Sequence, residues 1–259
     1  MIKRISALAL SAALAFTALP AVAQSALNEI LDGGVLRVGT TGDWNPMSVK
    51  DPATNSYKGF DIDVMEALAG DLGVKLEFVP TDWKTLVNGI VASKYHMTGS
   101  ASISAARMKV AGFSESYIAV EILPFTTADK ADRFTGWGSV NKEGVIVATT
   151  LGTTFQKYAT TWFPNAEIKV VEAPARGYQE VLAGRADVFI TSNIEGATLM
   201  AKFPQVKPVA VDVARAPSPI AMLLPQSDQI WINYVNNWIK IQQAGGFFEE
   251  LAVKWGLAD

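Results

Sequence analysis

Small hydroxylated residues and one arginine lie together between Gly99 and Arg107, where the sequence reads Gly-Ser-Ala-Ser-Ile-Ser-Ala-Ala-Arg. Ser104 is a suitable N-cap, so Arg107 falls in the first turn of a predicted helix, close to free backbone N–H groups. A guanidinium donates two parallel hydrogen bonds to one carboxylate, and hydroxyls and amides complete such a contact. The segment indicates a carboxylate-binding site. A capped surface helix with a solvated arginine is the alternative.

Composition limits the other chemistries. The 259-residue chain has no cysteine and a single histidine, His96. A thiolate nucleophile and a metal site built on paired histidines or cysteines are therefore excluded, and we expect neither a metal nor a cofactor. A Ser-His-Asp triad would have to use His96, which lies within a hydrophobic strand pattern. A structural histidine is the favoured interpretation.

The N-terminus has the pattern of an export signal. Lys3 and Arg4 precede an apolar run over residues 5–19, and Ala21-Val22-Ala23 matches the A-x-A cleavage pattern. The run is short for a bilayer span, and an uncleaved membrane anchor is the alternative. We expect residues 1–23 to be removed by cleavage after Ala23.

The remaining chain is acidic. The loss of Lys3 and Arg4 changes the formal net charge from −3 to −5. The chain contains no cluster of lysine and arginine, which argues against a nucleic-acid partner. After the export signal, no apolar run is long enough to cross a membrane.

Strands and helices alternate along the chain, which predicts parallel sheets covered by helices. One predicted strand ends at Gly99 and Ser100, and the others cover residues 35–39, 74–79, 145–148, 167–171, 187–191 and 206–211. The predicted helices cover residues 28–31, 59–69, 82–92, 154–163, 176–182, 194–202, 228–243 and 247–255.

Two extended apolar crossings, residues 117–127 and 218–224, separate two such alternating patterns. This arrangement predicts a hinged α/β clamshell in which the second lobe is inserted into the first. Lobe 1 would contain residues 24–124 and 221–259, and lobe 2 residues 125–220. Because ligands of open α/β sheets bind beyond the carboxyl ends of the strands, the strand-end loops should face one cleft. These loops are residues 41–44, 99–102, 149–154 and 192–195.

Over essentially its whole length after residue 23, the chain resembles bacterial periplasmic solute-binding proteins of the polar amino acid type, family 3. The motifs that carry the resemblance are residues 34–40, 59–64, 102–107, 113–114, 152–154, 184–187 and 245–255. The resemblance implies a periplasmic protein with a type II binding-protein clamshell, two lobes that close on a small ligand. It also implies a monomer that delivers its ligand to an ABC permease of the inner membrane.

The resemblance implies roles for individual residues. Arg107 corresponds to the arginine that binds the ligand carboxylate, and Ser100 and Ser102 to its hydroxyl and backbone contacts. Trp44 and Trp83 correspond to aromatic walls, although a tryptophan at position 83 is also typical of a core. The second-lobe anion loop corresponds to Gly152, Thr153 and Thr154.

Three positions depart from the family pattern. Ser192 stands where amino-acid binders carry an aspartate for the α-ammonium group, so the partner that a buried ammonium needs is missing. His96 stands at a usual aspartate position, and Met47 stands where an aromatic residue is usual. An unmodified amino acid is therefore a less secure ligand.

Glu195 is the candidate catalytic residue. The chain also resembles cyclohexadienyl dehydratase, a catalytic offshoot of the family, in residues 40–43 and in Ile194-Glu195. Such enzymes remove water and carbon dioxide from prephenate or arogenate, and the resemblance implies that Glu195 protonates the departing hydroxyl. However, Ile122 stands at the position of the enzyme's lysine and Thr149 at that of its asparagine. A solvated helix carboxylate, or an acceptor for a cationic group, is the alternative for Glu195.

We therefore expect a periplasmic binding protein for a small carboxylate-bearing solute, an amino acid or a related organic acid. A prephenate or arogenate dehydratase is the second hypothesis, and a sensor or partner-docking module on the same fold is the third. The expected ligand-binding residues are Asp43, Trp44, Trp83, Ser100, Ser102, Arg107, Thr149, Gly152, Thr153, Thr154, Ser192 and Glu195.

Overall fold

The computed structural model describes residues 24–257, so the predicted export signal lies outside the described residues. The chain forms an α/β fold. Its helices are α1 (Ala26–Gly33), α2 (Phe60–Leu72), α3 (Leu86–Val91), α4 (Ala105–Met108), α5 (Trp137–Val140), α6 (Thr154–Trp162), α7 (Gly177–Leu182), α8 (Asn193–Lys202), α9 (Gln229–Ala244) and α10 (Phe247–Lys254). Within residues 24–257, none of these helices has the length and apolarity of a membrane span.

The predicted strands are present, together with three short strands between residues 43 and 58 that form a separate antiparallel sheet and were not predicted. The strands are β1 (Val35–Thr40), β2 (Asp43–Trp44), β3 (Ser48–Lys50), β4 (Tyr57–Lys58), β5 (Lys75–Pro80), β6 (Met97–Thr98), β7 (Ser100–Ser102), β8 (Gly112–Phe113), β9 (Ile118–Thr127), β10 (Ile146–Thr150), β11 (Glu167–Val171), β12 (Val188–Ser192), β13 (Val206–Pro208) and β14 (Arg215–Leu224).

The first lobe is built on a parallel sheet with the order β5-β1-β6. Val38 of the central strand is fully buried and lies opposite both Phe78 and Met97. Helix α2 begins after Gly59, whose φ is +140°, and a Cβ there would lie 2.3 Å from the Met47 carbonyl oxygen. Only glycine allows this close approach, which fixes the start of α2 beside the loop that follows Trp44.

The second lobe contains the parallel strands β11, β10 and β12, in that order across the sheet. Strand β9 pairs antiparallel with β12 and β14 pairs antiparallel with β9, so one sheet continues from the second lobe through both crossings to β7. The crossings are therefore paired strands rather than separate connections. The predicted lobe boundaries at residues 124/125 and 220/221 fall inside β9 and β14 and stay a prediction.

Helix α3 begins at Leu86, whereas the sequence pattern predicts a helix from residue 82. Asp82 Oδ1 accepts hydrogen bonds from the Thr85 N–H at 2.8 Å and the Thr85 hydroxyl at 2.9 Å. This local pairing favours a turn over helix for the residues between them. Trp83 lies in this turn, packs against Trp44 and lines the cleft.

Two predicted strands also differ from the structure. The strand predicted to end at Ser100 is divided at Gly99, and its second part, β7, leaves the parallel sheet to pair antiparallel with β14. A Cβ at position 99 would lie 2.9 Å from an Asp61 carboxylate oxygen. The strand predicted over residues 206–211 ends at Pro208, which has no N–H to continue the ladder.

His96 has a structural role. It is 4% exposed, its Nδ1 accepts a hydrogen bond from the Arg37 N–H at 3.0 Å, and its Nε2 lies 3.2 Å from Glu29 Oε1. Burial lowers the pKa of His96, and Glu29 opposes this effect. Both ring nitrogens are occupied by partners in lobe 1, which confirms the structural interpretation and leaves no triad.

Candidate functional site

Arg107 lies at the centre of the cleft between the lobes. Ser104 caps α4 by accepting a hydrogen bond from the Arg107 N–H at 3.3 Å, as the sequence predicts. The guanidinium donates from Nη1 to the Ser102 carbonyl oxygen at 3.0 Å and from Nη2 to the Gly152 carbonyl oxygen at 3.3 Å. Because the second bond crosses the cleft, Arg107 contacts both lobes.

The charge of Arg107 has no counterion in the part of the chain that the structure describes. The residue is 8% exposed, and its guanidinium hydrogen-bonds to carbonyl oxygens. Burial lowers its pKa to about 10, so the side chain stays cationic at neutral pH. A buried cation paired only with neutral groups is costly, and an anion that entered the cleft would compensate its charge.

Two tryptophans form an aromatic wall beside Arg107. Trp44 is 3% exposed, and its ring meets that of Trp83 edge to face at a centroid distance of 5.9 Å. Trp44 Nε1 reaches across the cleft to the Ser192 hydroxyl at 3.4 Å, and Trp83 Nε1 donates to Asp43 Oδ1 at 2.9 Å. These polar contacts fix the orientation of both rings.

The second lobe contributes the loop before α6. Thr153 is its N-cap, and the Thr154 hydroxyl lies 3.3 Å from the Ser102 hydroxyl across the cleft. Gly152 has φ +80°, and a Cβ there would lie 2.5 Å from the Lys84 Cα. The loop therefore requires glycine both for its backbone conformation and for its close approach to lobe 1.

Arg176 is a site residue that the sequence analysis missed. It is the N-cap of α7 and is 6% exposed. Its Nη2 contacts both carboxylate oxygens of Glu195, at 2.8 and 2.9 Å, and its Nη1 contacts Asp43 Oδ2 of the other lobe at 3.1 Å. Arg176 follows β11 at the same sheet edge as the predicted loops of this lobe, and this position could have identified it as a site residue.

The ion pair sets the protonation of both partners. Burial raises the pKa of Glu195, while Arg176 and a hydrogen bond from the Thr191 hydroxyl act in the opposite direction. For Arg176, burial lowers the pKa, but Glu195 and Asp43 outweigh that effect and the pKa is raised. Glu195 is thus a buried ion-paired carboxylate rather than a solvated one, and the cationic group that it accepts belongs to the protein itself.

Ser100 has a different orientation from the one expected for a ligand contact. Its hydroxyl lies 2.5 Å from Asp61 Oδ1 and 2.7 Å from the Tyr117 hydroxyl, and its N–H donates to Asp61 Oδ2 at 3.0 Å. Burial raises the pKa of Asp61 to about 7, and the bonds from Ser100 oppose this rise. Ser100 thus connects the cleft edge to a buried network inside lobe 1.

Two predicted positions lie behind Arg176. Thr149 is 2% exposed and lines a small cavity with Glu195, and its hydroxyl has no hydrogen-bond partner within residues 24–257. Ser192 caps α8 by accepting a hydrogen bond from the Glu195 N–H at 3.3 Å. Ile122, at the position of the dehydratase lysine, is fully buried and lies opposite Ser192 in the sheet.

The four predicted loops do converge, and the cleft between them is closed. The space between Trp44, Trp83, Arg107 and Phe155 holds about one water molecule. Contacts across the cleft include the bonds from Arg107 and Arg176 and a surface ion pair between Lys84 and Glu172 at 3.1 Å. A ligand therefore requires the lobes to separate before it enters.

Two α/β lobes, paired hinge strands and a cleft between strand ends define a two-lobed solute-binding protein. The sequence model of the bacterial extracellular solute-binding proteins, family 3, matches residues 36–258, and the chain belongs to this family.

Individual relatives include both an enzyme and binding proteins. The chain is 32% identical to cyclohexadienyl dehydratase of Pseudomonas aeruginosa, over 97% of this chain and 93% of that protein. It is 24% identical to the L-cystine-binding protein TcyA of Bacillus subtilis, over 86% of this chain and 81% of that protein. The crystal structure of the ancestral amino acid-binding protein AncCDT-1, a precursor of cyclohexadienyl dehydratase, matches with a TM-score of 0.82 and 36% identity, covering 90% of this chain and 99% of that one.

Proposed function

We propose that the protein is the periplasmic substrate-binding component of an ABC importer and binds a small carboxylate-bearing solute in the interlobe cleft. The main observation in support is Arg107, a buried cation with two carbonyl partners and no counterion among residues 24–257. Membership of the solute-binding family and the names of relatives such as TcyA support the same role.

A ligand carboxylate at Arg107 would also favour the closed form. Arg107 belongs to α4, while Gly152 and Thr154 belong to the facing lobe. An anion held between them would contact both lobes only when they are together, so its binding energy would shift the population toward closure. The bound and closed state is then the one that a permease would recognise.

The export signal predicted over residues 1–23 supports a periplasmic location, and the family supports an inner-membrane ABC permease as the partner. We expect the protein to work as a monomer, since both halves of the cleft come from one chain. Size-exclusion chromatography with light scattering measures the mass directly.

Isothermal titration of the purified protein, begun at residue 24, tests the proposed function. The ligands are amino acids, 2-oxo acids and aromatic acids, each at neutral pH. We expect a saturable heat and a rise in melting temperature with at least one of these carboxylates, and none with the matched primary amides. If none of the carboxylates gives a heat or a thermal shift, the proposed function is wrong.

Dehydratase activity is the second candidate. It is favoured by 32% identity over 97% of the chain to an enzyme of that name and by the burial of Glu195, which raises the pKa of its carboxyl. The ion pair with Arg176 acts against it, because an ionised carboxylate accepts a proton instead of donating one.

The test of this candidate is the conversion of prephenate to phenylpyruvate, carbon dioxide and water near neutral pH. An active wild-type protein whose activity disappears in Glu195→Gln would establish the enzyme. A wild-type rate equal to the uncatalysed rate would exclude it.

A further inference from the structure

The carboxylates of Glu195 and Asp43 face the cleft from opposite lobes, and both contact the same guanidinium, that of Arg176. Arg176 Nη2 contacts Glu195 at 2.8 and 2.9 Å, and Arg176 Nη1 contacts Asp43 Oδ2 at 3.1 Å. The remaining Asp43 oxygen accepts a hydrogen bond from Trp83 Nε1 at 2.9 Å, and the Thr191 hydroxyl donates to Glu195 Oε2. Each oxygen of the two carboxylates therefore already has a donor.

The other hydrogen-bond acceptors near the cleft, the Ser192 hydroxyl and the Asp61 carboxyl group, also have donors from the protein. The Ser192 hydroxyl oxygen receives the Glu195 N–H at 3.3 Å and Trp44 Nε1 at 3.4 Å. Asp61, at the far end of the cleft, accepts hydrogen bonds from the N–H and the hydroxyl of Ser100. An ammonium group at Glu195, Asp43 or Asp61 would therefore compete with donors that the protein itself supplies.

The cationic side of the cleft has the opposite character. Arg107 makes its hydrogen bonds to the Ser102 and Gly152 carbonyl oxygens, which carry no formal charge. Arg176 and its two carboxylate partners carry a net charge of −1. Every oxygen of these carboxylates already accepts a hydrogen bond, and neither carboxylate forms an ion pair with Arg107 among residues 24–257. A ligand carboxylate would find at Arg107 a guanidinium that has no ion-pair partner among the described residues. An ammonium group would instead have to compete with Arg176 for the oxygens of Glu195 and Asp43.

We propose that Arg176 is a specificity-determining residue, and that the ligand is a small organic acid with a carboxylate and no α-ammonium group, such as a 2-oxo or 2-hydroxy acid. The Arg176 guanidinium occupies the position beside the Glu195 and Asp43 carboxylates that an ammonium group of a ligand would otherwise take. This inference rests on the proposed function, in which Arg107 binds the ligand carboxylate.

Matched ligand pairs test the inference on the wild-type protein. The two ligands of a pair share one carbon skeleton and differ only in the substituent at C2. The pairs are phenylpyruvate and phenylalanine, 2-oxoglutarate and glutamate, and pyruvate and alanine. The corresponding 2-hydroxy acid is measured alongside each pair. Dissociation constants are measured by isothermal titration at pH 7.5. In the pair that binds most tightly, we expect the oxo or hydroxy acid to bind at least tenfold more tightly than the amino acid.

Variants then connect the preference to Arg176. Arg176→Met removes the internal cation and exposes Glu195 to the ligand, so we expect the preference for the oxo acid to fall at least tenfold. Arg176→Lys keeps a cation and should keep the oxo acid as the tighter ligand. Arg185→Met is the matched control, because Arg185 is 57% exposed and pairs with Glu180 away from the cleft.

The outcomes separate the two proposals. If an amino acid binds as tightly as its oxo analogue or more tightly, the inference about Arg176 is wrong while the proposed function stands. If no carboxylate of any kind binds, both are wrong. Should Arg176→Met fail to fold, the wild-type comparison of matched pairs still decides the ligand class.

Discussion

Two buried arginines face the same cleft in different surroundings. Arg107 is 8% exposed and donates to two carbonyl oxygens, whereas Arg176 is 6% exposed and contacts the carboxylates of Glu195 and Asp43. Burial lowers the pKa of Arg107 to about 10, but the two carboxylates raise the pKa of Arg176 despite its burial. Charge compensation, and not residue type or burial, distinguishes the two.

This difference in charge compensation suits Arg107 to ligand binding and Arg176 to stabilising the folded protein. A guanidinium that already has its counterions contributes to the folded state and has little to gain from a ligand. A guanidinium without one is stabilised only when an anion arrives, so its interaction energy is available for binding. The variants below test that separation.

The largest effect is expected for the stability of Arg176→Met. It leaves Glu195 and Asp43 without their cation in a buried site, which costs about 3–5 kcal/mol. Arg107→Met leaves only carbonyl groups without a donor and should cost less than about 2 kcal/mol. Urea denaturation measures both. Equal losses of stability would remove the distinction between the two arginines.

Asp61 contrasts with Glu195, because it is a buried carboxyl group that forms no ion pair within residues 24–257. Its pKa is about 7 in the folded protein, against an ordinary value of 3.8. The folded state therefore binds the proton more tightly, and this group lowers stability as the pH rises from 4 to 8. The full difference is about 4 kcal/mol at most, at about 1.4 kcal/mol for each pKa unit.

Asp61→Asn should remove this pH dependence, because an amide does not titrate. Unfolding free energies at pH 5, 6, 7 and 8 for the wild type and Asp61→Asn isolate the contribution of the one group. A wild-type slope that persists unchanged in Asp61→Asn would show that the carboxylate is ionised throughout the range.

Arg107→Met should weaken binding of the carboxylate ligand by about a hundredfold, which corresponds to about 2.7 kcal/mol. The measurement is titration calorimetry with the tightest ligand found for the wild type. Lys142→Met is the control for the loss of one positive charge, since Lys142 is exposed and precedes the N-terminal end of β10, whereas the cleft lies at the carboxyl end. Unchanged affinity in Arg107→Met would contradict the assignment of Arg107 as the binding group.

Gly152→Ala should have the smallest effect, a loss of about tenfold in affinity, or about 1.4 kcal/mol. The new Cβ would lie 2.5 Å from the Lys84 Cα and would keep the lobes apart. Gly144→Ala is a matched control, because Gly144 has a similar φ of +76° and no atom within 4 Å of the position of a Cβ.

Both glycine variants carry similar backbone strain, of about 1 kcal/mol in stability. Only Gly152→Ala should weaken ligand binding and enlarge the radius of gyration of the ligand-saturated protein in X-ray scattering. Equal affinities for the two variants would show that close approach of this loop is not needed for closure.

The sequence predicted the positions of the strand-end loops well, for a physical reason. Carboxyl ends of parallel strands meet at one edge of their sheet, so the loop after β1 lies at the edge of one sheet and the loops after β10 and β12 at the edge of the other. In a two-lobed fold these two edges face each other across the cleft. The capping of α4 by Ser104 is also a local property, and it correctly placed Arg107 at a helix start.

Contacts between distant residues could not be predicted in this way. Arg176 is 133 residues from Asp43 and 19 from Glu195, and its role depends on the packing of both lobes. The orientation of Ser100 toward Asp61 depends on β7 leaving the parallel sheet, which the alternation of strand and helix does not record. Trp83 contacts the cleft because Asp82 and Thr85 form a turn, which competes locally with the predicted helix.

The antiparallel pairing of β9 with β14 restricts how the protein opens. Interstrand hydrogen bonds keep the two crossings in register from Ile118 opposite Ile220 to Ile122 opposite Arg215, with an irregularity between Arg215 and Ser218. Sliding one crossing along the other would break this ladder, whereas a change of twist at the irregularity preserves it. We therefore expect the lobes to open by rotation at this irregularity, which would return the facing loops to the same alignment when they close.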